Sequence, residues 1–104
     1  MSFVAYVEIH VHFPDIHSLK GKRKEIASLK AQLQHRFGAA VSETDHHDLW
    51  QRATLSAVLV GPDAGVVSEA ATKLGRYAES RFPQGVRLER GLVSGEEILT
   101  GAGL

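Results

Sequence analysis

A polar run near the middle, Asp45-His46-His47-Asp48-Leu49-Trp50-Gln51-Arg52, separates two halves that each read strand, helix, strand. That repetition leaves few folds open to a chain of 104 residues, which is sized for one domain with one core. In the first half Phe3, Ala5, Val7, Ile9, Val11 and Phe13 alternate with Val4, Tyr6, Glu8, His10 and His12, the period of a half-buried strand. Pro14 and Asp15 break it. Ser18 reads as the N-cap of a helix running to about Arg36, with Leu19, Ile26, Leu29, Leu33 and Phe37 along one face and Gly38 as its stop. A weaker strand, Ala39 to Thr44, suits a sheet edge.

The second half repeats the layout. Arg52 to Val60 is a stronger strand, and Gly61-Pro62-Asp63 is a turn and N-cap. Val67, Ala70, Leu74, Ala78 and Phe82 line the inner face of a helix that Pro83 and Gly85 end. Val86, Leu88 and Leu92 mark the last strand. The order β-α-β-β-α-β is that of an α+β ferredoxin-like sandwich, a four-stranded antiparallel sheet with two helices on one face. Residues 1–94 form the domain, and 95–104, rich in glycine and poor in anchors, read as a flexible C-terminal tail.

Reading the first and third strands as central and parallel places His10, His12 and His17 at one end of the sheet and His46 and His47 at the other. The separation is on the order of 25 Å at ~3.3 Å per residue. No single ion could then use both sets. Glu8 shares a face with His10 and His12, and His35 is a further imidazole for the loop set, but neither set has a recognised ligand spacing. Hydrogen-bonded or solvated histidines are expected, with no metal and no cofactor.

Lys and Arg balance Asp and Glu at 12 each, which argues against a general polyanion binder, and DNA is not an expected partner. The charge is nevertheless clustered: Lys20, Lys22, Arg23 and Lys24 crowd the start of the first helix, where the macrodipole disfavours cations by ~0.3–1 kcal/mol each. On the topology above the second helix begins at the same end, and a phosphate there would offset the cost, although Asp63 works against it. These four residues are the candidate anion or nucleic-acid site. An open-face RNA-recognition mode needs aromatics on both central strands. Tyr6 is opposed by Thr54, Ser56 and Val58, so that mode is excluded. Tyr6, Leu49 and Trp50 are candidate partner-interface residues, with Val4, Val58 and Val60 beside Tyr6. A fold-back of Trp50 onto the lower edge of the core is the competing expectation, with Arg52 pairing Asp45 or Asp48. Without cysteine there is no disulfide, thiol catalysis or cysteine-ligated zinc. With no apolar span, no secretory leader and no catalytic constellation, the expectation is a cytoplasmic, non-enzymatic protein with no membrane partner.

Three blocks carry a resemblance: Ser18-Leu19-Lys20-Gly21-Lys22-Arg23, the Arg36-Phe37 pair, and Glu43 through Ala53. Together they resemble the YlxP-like family of small bacterial proteins, a family of unknown function, over about residues 3 to 93. The resemblance implies a ferredoxin-like fold. It also implies, through the placement of family genes beside those for translation initiation and ribosome maturation factors, a role near ribosomal RNA or a ribosomal subunit. Members commonly carry glutamate where this chain has Gly21, so its helix start is more positive, and glutamine where it has His47. No catalytic residues carry over. A homodimer formed through the open sheet face is the alternative.

Overall fold

The computed structural model describes residues 1–101. Its elements are β1 (Phe3–His12), α1 (Leu19–Phe37), β2 (Ala40–Asp45), β3 (Arg52–Gly61), α2 (Ala64–Arg81), β4 (Val86–Ser94) and a short α3 (Gly95–Gly101). The sheet order is β2-β3-β1-β4, and every neighbouring pair is antiparallel. This is the ferredoxin-like sandwich.

Local signals account for the ends of the helices. Ser18 is extended and its hydroxyl accepts from the Gly21 amide, while Asp63 does the same for Val66 at α2. Gly38 stops α1 in the left-handed region at φ 65°, donating its amide to Gln34 O. The alternation of β1 puts Ala5, Val7, Ile9 and Val11 into the core against Leu55, Ala57 and Leu59 of β3. Leu29 and Leu33 from α1 and Leu74 and Ala78 from α2 cover them. Each large aliphatic side chain buried there contributes ~1.5–3 kcal/mol. Phe13 closes one end of the core edge-to-face on Phe82, with ring centroids 5.2 Å apart.

Two expectations about direction are corrected. The central strands β1 and β3 are antiparallel, so β2, antiparallel to β3, runs parallel to β1. The chain leaves β1, returns through α1 and climbs β2 to the end it left, because the helix rather than the second strand makes the return. The histidine loop between β2 and β3 therefore lies at the same end as His12 and the start of α1. By the same logic α2 begins at the opposite end, and the two helix N-termini do not face one region.

The segment read as a tail holds α3 over Gly95–Gly101, while residues 102–104 lie outside the described residues. Ser94 and Glu97 form a reciprocal capping box: Ser94 Oγ accepts from the Glu97 amide at 3.0 Å, and Glu97 Oε1 accepts from the Ser94 amide at 3.5 Å and from the Ser94 hydroxyl at 3.2 Å. The helix buries no side chain. No described helix is long and apolar enough to cross a membrane.

Candidate nucleic-acid interface

The end of the sheet where β1 finishes is built around Lys22. Its side chain is 0% exposed, and its Nζ donates to His46 O at 2.7 Å, His47 O at 3.2 Å and Arg52 O at 3.2 Å. Glu43 Oε2 lies 3.3 Å from the same ammonium. An ammonium has three protons, and the three carbonyls take them, so Glu43 Oε2 is held by charge alone and is a buried oxygen without a hydrogen bond. Lys22 is thus removed from the set of surface cations expected to meet phosphate: it ties the first turn of α1 to the loop between β2 and β3. The signal was in the spacing. Lys22, Ile26, Leu29 and Leu33 recur at four, three and four residues, the inward face of α1.

The loop so tied is a tight turn, with the Leu49 amide donating to His46 O at 3.2 Å. His46 has φ 62°, left-handed backbone that histidine tolerates better than most side chains, and its amide donates to Asp45 Oδ1. The turn projects Leu49 and Trp50 outward at 46% and 50% exposure, so the indole does not fold back onto the core. His12, Asp48, Leu49, Trp50, Gln51 and Arg52 line a groove of about 490 Å³. His12 and Arg52 continue into a second depression of about 320 Å³ with His10, Gly85 and Arg87. Among the described residues Arg52 makes no ion pair with Asp45 or Asp48, and Asp45 instead lies 3.8 Å from His46 Nε2. Its guanidinium is exposed beside Trp50.

Lys20, Arg23 and Lys24 are exposed on the first turns of α1, flanking the anchoring Lys22 in sequence. The basic helix start and the tryptophan loop, expected at opposite ends, are therefore joined. His12 belongs with this groove, and His35 lies in the last turn of α1, away from it.

The open face of the sheet carries a polar chain across all four strands. Thr44 Oγ1 and Ser56 Oγ are 2.8 Å apart, Ser56 Oγ is 2.8 Å from the Tyr6 hydroxyl, and Tyr6 donates to Glu8 Oε2 at 2.8 Å. His10 Nε2 lies 3.2 Å from Glu8 Oε1 and 3.2 Å from Glu89 Oε2, while its Nδ1 is 3.0 Å from Thr54 Oγ1. Arg87 donates to Glu89 Oε1 at 2.9 Å. The Ser56 hydrogen bond pulls the Tyr6 phenol down, but the hydrogen bond to Glu8, burial and the charges of Glu8 and Glu89 outweigh it and raise its pKa. The His10 hydrogen bond, then Arg87, hold the Glu89 carboxyl below its ordinary range. Toward the other end the same face turns apolar, with Val4, Val58, Val60 and Val93. Sequence alone paired Glu8 with His10 and His12; Glu89 was missed because its place opposite Glu8 depends on the β1–β4 register.

Solved structures share the fold at low identity. The de novo designed protein Foldit4 aligns at a TM-score of 0.57 and 10% identity, covering 90% of this chain and 98% of that one. SnoaB, a cofactor-independent oxygenase from Streptomyces nogalater, aligns at 0.52 and 16% identity, covering 91% and 94%. YXEP of Bacillus subtilis, a dinuclear metal binding peptidase from the M20 family, aligns at 0.57 and 15% identity; the match covers 90% of this chain and 26% of the peptidase. These likenesses concern the fold. No curated protein matches the sequence. Residues 4–88 match the model of a family described as protein of unknown function (DUF503), and with most of its length inside that match the chain belongs to this family.

Proposed function

We propose that the protein is a non-catalytic RNA-binding factor of the translation machinery, of the YlxP-like kind, which holds a single strand at the end of the sheet where α1 begins. The observation that carries this reading is the Lys22 anchor, which fixes an exposed tryptophan loop beside an exposed basic helix start. Single strands are bound by such pairs of features: an aromatic face on which a base stacks and cations that follow the backbone. Trp50 is the stacking face and Arg52 its neighbouring cation; Lys20, Arg23 and Lys24 take phosphates. Asp48 in the groove favours a base edge there and leaves the phosphates to the helix start.

Binding of purified protein to ribosomal subunits and to a mixed RNA pool, measured at two salt concentrations, tests this. A Lys20→Ala/Arg23→Ala/Lys24→Ala variant should weaken binding and flatten the salt dependence by about 2 in log–log slope, at ~0.7 per single-strand phosphate contact. Absence of binding at low salt ends the proposal.

A second reading rests on the four open-face valines, of which Val60 is 70% exposed. A homodimer would bury them, and sedimentation showing a salt-tolerant dimer that Val60→Asp dissolves would favour it.

A further inference from the structure

The polar chain on the open face converges on His10, and we propose that Glu8, His10 and Glu89 form a binding site for one divalent transition-metal ion, with Zn²⁺ the first to test. One atom from each of the three side chains lies within 4.8 Å of the others. His10 Nε2 stands 3.2 Å from one oxygen of each glutamate. Ligand atoms around a single ion with bonds of about 2.1 Å sit ~3–3.5 Å from one another, so both nitrogen–oxygen spacings already suit a shared ion.

Electrostatics favours a cation there. Glu8 and Glu89 are direct cross-strand partners, a like-charge pair that is destabilising when nothing lies between the carboxylates. One N–H on His10 can point at only one of the two oxygens, whereas a divalent ion engages both and the imidazole together. Each ligand is also held from outside the cluster by a different neighbour. Tyr6 donates to the second oxygen of Glu8, Arg87 donates to the second oxygen of Glu89, and the buried Thr54 hydroxyl meets Nδ1 of His10. Outer contacts of this kind orient metal ligands, and a Thr54 hydroxyl accepting from Nδ1–H leaves the Nε2 lone pair facing the carboxylates. One nitrogen and two carboxylate oxygens suit zinc or manganese, and three protein ligands leave coordination positions open to solvent. The site stands apart from the RNA reading and does not rest on it.

Titration of untagged, metal-stripped protein with Zn²⁺, and with Co²⁺ followed by its visible absorption, tests the assignment. One ion per chain is expected, with affinity at least about tenfold weaker in Glu89→Gln, whose exposed side chain leaves the core untouched, and about tenfold to a hundredfold weaker in Thr54→Val. His10→Gln should abolish the Co²⁺ spectrum. Unchanged affinity in Glu89→Gln and His10→Gln overturns the site. So does a loss of binding in a His46→Gln/His47→Gln variant, which should otherwise behave as the parent, or no Zn²⁺ bound at millimolar concentration.

Discussion

Lys22 does at the scale of one residue what a hydrogen-bonded turn usually does with several. Its ammonium donates to two carbonyls of an irregular loop and one at the start of β3 and neutralises Glu43; removing the amine takes all of these contacts away at once, with His46 O keeping the Leu49 amide. Breaking a buried pair on one side leaves the other charge uncompensated, at ~3–5 kcal/mol. Lys22→Met should therefore lower the free energy of unfolding, read from urea curves, by that amount, and adding Glu43→Gln should recover part of the loss; equal stability of parent and Lys22→Met would show that the loop does not depend on the anchor. Trp50, by contrast, is half exposed and outside the core. Trp50→Ala should change stability little while costing ~1–3 kcal/mol of RNA affinity, a split read by comparing unfolding curves with binding isotherms.

Elements end where single backbone positions permit. Gly38 has nothing within 4 Å of the place a Cβ would occupy, yet its φ of 65° is left-handed, so Gly38→Ala isolates the backbone cost from packing. A loss of about 1 kcal/mol in chemical unfolding is expected, with an unchanged sheet by circular dichroism. At α3 the capping box holds a helix that buries nothing. Ser94→Ala should speed amide exchange in residues 95–101 and leave the global unfolding midpoint in place, because the core elements do not rest on α3.

Over the whole molecule, charge is balanced in sum but not in place: Lys20, Arg23, Lys24 and Arg52 lie at one end of the sheet, while the open face carries Glu8 and Glu89. Polyanion binding governed by such a cluster should fall steeply between low and physiological salt, whereas contact through the valines of the open face should persist. Measuring both RNA binding and sedimentation across the same salt series separates the two surfaces.

Alternation in β1 and the spacing along α1 and α2 were enough to give the order of elements, the core face of each and the helix caps at Ser18, Asp63 and Gly38, because these depend on neighbours within a turn or two of chain. The spacing of Ser94 and Glu97 and the inward phase of Lys22 are equally local signals, yet residues 95–104 were expected to fray and Lys22 to face phosphate. Strand direction follows from the same order of elements: a 19-residue helix carries the chain back along the sheet, so β2 runs parallel to β1, and the expected descending second strand left that return out. The return is what brings the histidine loop to Lys22 and His12. The meeting of Glu8, His10 and Glu89 likewise follows from the pairing of β4 with β1, a contact between residues some eighty positions apart in sequence. Local chemistry wrote the elements, and only long-range pairing could place their side chains together.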